Sequence, residues 1–535
     1  MLLATRVAAT GTSSAQSRAS RPALFRVFLP AWALVFVLAA LWALASPLGS
    51  SPDAPSQIAR AASVVRGQWV GPSAPGPGSN VTTLVRVPRT YALEAADSRC
   101  FMFLEAVSAE CATPQPVSGK LVTVQSHVGR YPPLYYAMVG WPSLLTYGAI
   151  GTYLMEMVSA LICALFIALA LTIATVYGRS RLLMLAVGVA ATPMTLYLAG
   201  TVNPSGLELA CALSMWCSLA VWVRWYLHAP PAPVVAVAAV STCALVWTRP
   251  TAFAWPVLAA VVFAPIVWRE RHRGERQYPS RKLVQRSTVA VALALLGSLA
   301  WTLLARATAV LPNFSPLPKG SSWGHIFFYV ATDIPWLAVQ AVGNFGHLDT
   351  PVPRPVLAVW AVVAAALVAG ALRRGTARSK VSLGLLLVFS YAFPFASLVV
   401  AAPSFGFIGQ GRYFLPLWGA IPVVAACWLP EQKKARVAGA MGWLGGTALM
   451  LAQVASFYWG LRRYVTGVPG AWSLSGPRGK VWAPPLGAWW LIALFALGCA
   501  ALLVLAVRWS AGTSAEGHGA LGPHRPAHLL GSTGR

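Results

Sequence analysis

Apolar runs of about 20 residues, each long enough to cross the hydrocarbon layer of a bilayer as a helix, recur from one end of this 535-residue chain to the other. They fall at 27–48, 153–177, 182–201, 206–227, 231–247, 251–268, 287–306, 355–372, 381–402, 413–429, 437–458 and 487–507. With 57% hydrophobic and only 10% charged residues, the chain carries more apolar surface than soluble domains bury. Inside hydrocarbon the backbone has to satisfy its own hydrogen bonds, and a helix does so within one segment. The expected fold class is an all-α polytopic membrane protein with about twelve transmembrane helices.

Charge supports this reading. The formal net charge of +27 comes from 40 Lys and Arg set against 13 acids, and the basic residues gather in short loops: Arg179 and Arg181, Arg224, the segment 269–282, Arg373 to Lys380, Lys433 to Arg436, and Arg508. With twelve crossings every cluster falls on the cytoplasmic side, as do both termini. No basic run interleaves with stacking aromatics in a soluble segment, so a nucleic-acid partner is not expected. The implied organisation is a cytoplasmic tail at 1–26, a first span at 27–48 and an external loop at 49–152. The first half of the bundle follows at 153–306, a second external loop at 307–354, the second half of the bundle at 355–508, and a disordered cytoplasmic tail at 509–535.

Two apolar stretches are left out of the span count. "YPPLYYAMVGWPSLLTYG", 131–148, has two prolines at its head and only moderate hydrophobicity, and as a crossing it would put the basic loops on the wrong side. It is expected to lie on the outer surface. The amphipathic segment 323–343 is expected to be external as well. Six cysteines sit inside apolar runs as packing residues, whereas Cys100 and Cys111 lie in the first external loop. There they are compatible with a disulfide or with two free thiols.

Chemistry in such a chain concentrates in polar groups at the outer ends of spans. Asp53 follows the first span in Ser-Pro-Asp-Ala-Pro, which reads as a helix start with aspartate as N-cap, followed by an apolar face of Ile58, Ala61, Ala62, Val65 and Trp69. Capping alone explains an aspartate there, and a membrane-surface base is the alternative. Arg249 and Arg412 stand at outer span ends without acidic neighbours in sequence. Their planar guanidinium groups suit phosphate oxygens, or they snorkel to headgroups. Glu208, a turn into its span, calls for a partner such as Arg249. Tyr135 and Tyr136 read as interfacial anchors. His325, Asp333, His347 and Asp349 share one loop but lack tight metal-ligand spacing, so no metal and no cofactor are expected. Asn80 in "NVT" carries no weight.

Five segments, "PDAPSQ", "YPPLYYAMVGWP", "VNPSGLELA", "TRPTAFAWP" and "GRYFLPL", resemble in order and spacing a bacterial family of multispanning membrane proteins of unassigned function. That family carries P-D-E-P-x-H, P-P-L-Y-Y, N-P-S-G/D-x-L-E, R-P and G-R-Y. The arrangement also resembles the GT-C superfamily of membrane glycosyltransferases, whose first external loop supplies an acidic residue and whose donor is a sugar on a polyprenyl phosphate. The resemblance implies a bacterial plasma-membrane location and Asp53 as the catalytic carboxylate, acting as base or acceptor-orienting group. It also implies Arg249, Arg412, Tyr413, Tyr135, Asn203 and Glu208 as substrate ligands, with an envelope glycan or lipid as acceptor. Where the pattern has Glu and His, this chain has Ala54 and Gln57. A flippase or transporter of lipid-linked saccharides and an inactive scaffold are the rival expectations, and the sequence sets no oligomeric state.

Overall fold

A computed structural model describes residues 21–75, 81–92, 98–113, 116–178, 180–227, 229–271, 281–309, 321–429, 435–474 and 482–519. Asn80, the tail before residue 21 and the tail after Gly519 lie outside them. Among the described residues the chain is dominated by helices. In chain order these are α1 (Arg21–Leu44), α2 (Ala54–Val64), α3 (Pro133–Gly140), α4 (Ala149–Val176), α5 (Leu182–Ala190), α6 (Pro193–Ala199), α7 (Pro204–Trp225), α8 (Ala232–Val246) and α9 (Ala254–Arg271). The second half contributes α10 (Arg281–Leu304), α11 (Trp323–Val342), α12 (Arg354–Arg374), α13 (Ala377–Phe405), α14 (Gly411–Trp418), α15 (Ala420–Trp428), α16 (Ala435–Thr466) and α17 (Ala488–Gly519).

Eight of the described helices are long and apolar enough to cross a bilayer, or nine if α5 and α6 count as one span bent by 62°. The chain is thus a polytopic helical membrane protein, but the twelve apolar runs do not map onto twelve long helices. Pro193, just past the break, starts a new helix with Thr192 as its cap and splits the run 182–201. The run 413–429 divides at Gly419 into α14 and α15, and α8 and the apolar part of α9, Ala254–Trp268, are only 10–17 residues long. Helix α11, expected to be external and amphipathic, passes the same length and hydropathy test. At eight residues, α3 spans about 12 Å and is too short to cross. Helix α17 runs on to Gly519, past the point where a disordered tail is expected.

The segment between α2 and α3 holds something that the helical pattern hides, a three-stranded antiparallel sheet of β1 (Ser73–Pro75), β2 (Val81–Pro88) and β3 (Leu121–Ser126). "VTTLVRVP" and "LVTVQS" are short and rich in β-branched residues, and the second alternates in burial, which is strand chemistry. The structure joins Cys100 and Cys111 in a disulfide between the second and third strands. A two-residue ladder, β4 (Asn344–Phe345) with β5 (Thr350–Pro351), forms a hairpin after α11. It is anchored in the bundle core: Phe345 packs on Trp42, ring centroids 4.7 Å apart, and on Tyr197 at 5.3 Å.

Candidate functional site

Asp53 occupies the N-cap position of α2 but does not cap it. Its backbone is left-handed, with φ 61°, and its side chain makes no bond to the helix start. The carboxylate instead points away and Oδ2 accepts from Nη2 of Arg412 at 2.5 Å. Arg412 is the second residue of α14. Its helix is pressed onto α11 at Gly411, whose N–H donates to Oε1 of Gln340 at 3.0 Å and where any Cβ would collide with the Leu337 carbonyl. The Arg412 side chain is 1% exposed and that of Asp53 29%, so the pair sits at the boundary between bundle and exterior.

From this pair a chain of contacts runs into the bundle. The Tyr413 ring lies 5.2 Å from the Arg412 guanidinium and 4.3 Å from that of Arg249, within cation–π range of both. Arg249 reaches Oε2 of Glu208 at 3.5 Å, and Trp255 donates to Oε1 of Glu208 at 2.7 Å. The expected pairing of Glu208 with Arg249 is present, and neither arginine simply snorkels to headgroups.

The remaining sequence candidates build the frame. Asn203 caps α7 through Ser205 and donates from Nδ2 to the Pro52 carbonyl at 2.9 Å, which fixes the backbone just before Asp53. Tyr135 and Tyr136 are fully buried and are not interfacial anchors. Tyr135 shares a 3.0 Å hydrogen bond with Ser159, and Tyr136 donates to Oε1 of Gln57 at 2.6 Å. Gln57, standing where the resembled pattern has His, is thus packed against α3 rather than turned to the carboxylate. On the apolar face of α2, Ile58, Ala61 and Ala62 are buried, but Trp69 lies beyond the helix end and is 58% exposed. Arg60, fully buried in α2, donates to the carbonyls of Gln68, Trp69 and Tyr131 at 2.8–3.1 Å. It ties the helix to both flanking segments.

Three further residues lie at this site: His127 and Tyr131 escape sequence reasoning, and His347 is read there only as a possible metal ligand. His127, at the end of β3, places Nε2 3.7 Å from Oδ1 of Asp53 and Nδ1 3.1 Å from the Ser56 hydroxyl. The only signal for it is its position four residues before Tyr131 in "SHVGRYPPLYY". Tyr131 is electrostatically coupled to Arg249, Tyr413 and Asp53. His347, at the tip of the β4–β5 hairpin, is 8% exposed and its Nε2 has no hydrogen-bond partner among the described residues. It feels the charges of Asp349, Asp53, Arg463 and Arg412.

Burial alone would raise the Asp53 carboxyl, but Arg412 and then His127 outweigh it and hold the group below its ordinary value. Burial holds the His127 imidazole down, with Asp53 pulling it up and Arg412 pushing it down further. Burial also takes His347 down to about 4. The Asp53 carboxyl is thus favoured in its charged form, while burial works against charge on both imidazoles.

Of the possible cation ligands, Asp349 is committed to Arg463 at 3.2 Å and to the Phe103 amide at 3.1 Å. Among the described residues no three His, Cys, Asp or Glu side chains are grouped to hold a metal. A cavity of about 370 Å³ between α1, α4, α5, α16 and α17 is lined by apolar residues with Arg181 and Gln453, and contains none of the site residues.

All five quoted sequence segments contribute to this one cluster. A family described as "predicted membrane protein (DUF2142)" has a profile that matches residues 36–420, the stretch that holds every one of them. The chain belongs to that family. No curated protein and no solved structure matches this DUF2142 chain.

Proposed function

We propose that the protein is a membrane glycosyltransferase that moves a sugar from a polyprenyl-phosphate donor to an envelope glycan or lipid at the external face of a bacterial plasma membrane. The observation that carries this reading is the state of Arg412. It spends Nη2 on Asp53, while Nε and Nη1 are buried without a partner among the described residues. Unpaired guanidinium N–H groups are costly away from water. A phosphate satisfies them with charge-assisted bonds and leaves the sugar beside a carboxylate. In the proposed step the acceptor oxygen attacks the anomeric carbon, the carbon–oxygen bond to phosphate breaks, and the electron pair leaves with the lipid phosphate. The hydroxyl proton passes to Asp53, and Arg412 offsets the charge developing on the leaving group. The likeness to GT-C enzymes, which place an acidic residue in the same loop, supports the assignment. So does the distribution of basic residues along the sequence, which favours an external position for the loop that carries Asp53.

Two observations favour a second reading, a flippase for lipid-linked saccharides. The 62° break between α5 and α6 and the buried Glu208–Arg249 pair are features that transporters also use. Replacement of Asp53 by Asn at equal expression separates the two. Loss of glycan product with saccharide translocation intact supports the transferase, and unchanged product removes it.

A further inference from the structure

The reading above makes two anions share one guanidinium, because the phosphate proposed for the Nε–Nη1 edge of Arg412 lies on the same group that Asp53 holds through Nη2. An incoming phosphate weakens the hold of Arg412 on Asp53 and adds negative charge beside a carboxylate that is only partly reached by water. Such a site binds its ligand tightly only if another cation takes over the carboxylate.

His127 is placed for this. Its two ring nitrogens face two different acceptors, Oδ1 of Asp53 at 3.7 Å and the Ser56 hydroxyl at 3.1 Å, so both N–H groups of an imidazolium have somewhere to go. Its surroundings are held from three sides: Ser56 and Asp53 belong to the start of α2, His127 follows directly on β3, and Arg412 comes from α14. The Ser126 hydroxyl donates to the Ser56 carbonyl at 3.2 Å and keeps β3 against α2. In the resting site the charge of Arg412 works against protonation of His127, and a phosphate on Arg412 cancels that charge. The other groups acting on Asp53 are less suited. Arg249 is engaged by Glu208. His347 packs beside the Phe103 ring at 5.7 Å, next to an Asp349 already bound to Arg463.

We propose, building on the phosphate reading of Arg412, that His127 is a positioning residue that takes up one proton when a lipid phosphate binds and replaces Arg412 as the counter-ion of Asp53. The carboxylate then stays oriented and ionised for the acceptor while Arg412 turns to the phosphate. The only bond formed is the N–H bond of the imidazolium, and its proton is given up by solvent.

The test is calorimetric titration of the full-length protein in nanodiscs with farnesyl phosphate at pH 7.5, in two buffers of different ionisation heat, against empty nanodiscs. A phosphate monoester has its second pKa at about 6, so the probe itself takes up little. The expected result is an uptake of about one proton per bound ligand and about a tenfold weaker binding for each pH unit above the pKa of His127 in the unliganded site. In His127→Gln or His127→Asn, binding persists and uptake falls to near zero, whereas His347→Gln leaves uptake in place. Two variants guard against one that fails to fold. Binding without uptake in the wild type, uptake that survives in both His127 variants, or uptake lost with His347 overturns the role of His127 alone. Absence of binding in the wild type overturns the phosphate reading, and this inference with it.

Discussion

The Asp53–Arg412 pair can be weighed by a double-mutant cycle with Asp53→Asn and Arg412→Gln. Asparagine is the suitable replacement because the left-handed backbone at residue 53 is one that Asn adopts readily and Ala does not. The charge is then removed without backbone strain. Losing one partner of a fully buried pair costs about 3–5 kcal/mol. The Asp53 side chain is 29% exposed, so water screens part of this, and about 2–3 kcal/mol is the expected loss for Asp53→Asn, within the range for a hydrogen bond to a charged group. Arg412→Gln leaves behind a carboxylate that water and His127 still reach, and is expected to cost about half as much. The coupling energy should come to about 1.5–3 kcal/mol. Reversible unfolding in mixed micelles, followed by tryptophan fluorescence at pH 7.5, reads all four corners. The Asp53 carboxyl is held below its ordinary value, so its contribution is complete above its unfolded value and is lost as pH falls through the folded one. The coupling should therefore vanish in strong acid. Additivity within about 0.3 kcal/mol at neutral pH would mean that the ion pair does not form in the protein.

Three further outcomes follow from the same contacts. Glu208→Gln strands the Arg249 guanidinium, whose side chain is 13% exposed, and should destabilise the protein by about 2–4 kcal/mol, more than Trp255→Phe, which removes a single donor to that carboxylate; equal effects in the same unfolding assay would contradict the pairing. Gly411→Ala drives a Cβ into the backbone of α11, so α14 and Arg412 must shift, and phosphate binding should fall about tenfold with far-UV circular dichroism unchanged. Replacing Cys100 and Cys111 by Ser opens a link of sequence separation 11, expected to contribute about 3 kcal/mol to local stability. Faster proteolysis within 98–113 is the readout, and unaltered cleavage would show that the loop is held by other contacts.

Much of this architecture is written in the hydropathy of the chain, because a lipid solvent demands long apolar helices and leaves few alternatives. What hydropathy cannot express is where a helix breaks or ends, and so the run 182–201 reads as one span although Thr192 and Pro193 begin a second helix inside it. The sheet at 73–126 is hidden for a related reason: its strands are short, and the surrounding Pro, Gly and Ser make the loop look irregular. Asp53, Arg249, Arg412 and Glu208 stand out as rare charges at span ends, and the structure brings them together with Tyr413 between the arginines. His127 is legible only in three dimensions, and His347 stands out in sequence only as a possible metal ligand, since a lone histidine in a loop carries no pattern until a partner from a distant segment approaches it. Tyr135 and Tyr136 mislead in the opposite sense, as aromatics near an interface that turn out to be core.

The central claim is that a lipid phosphate and the Asp53 carboxylate share the Arg412 guanidinium, and farnesyl phosphate affinity in nanodiscs tests it most directly. Arg412→Gln should weaken binding by roughly ten- to a hundredfold, the equivalent of about 1.5–3 kcal/mol of charge-assisted hydrogen bonding. Asp53→Asn, which frees Arg412 from its competitor, should bind more tightly than the wild type. Equal affinity in all three proteins would contradict the account.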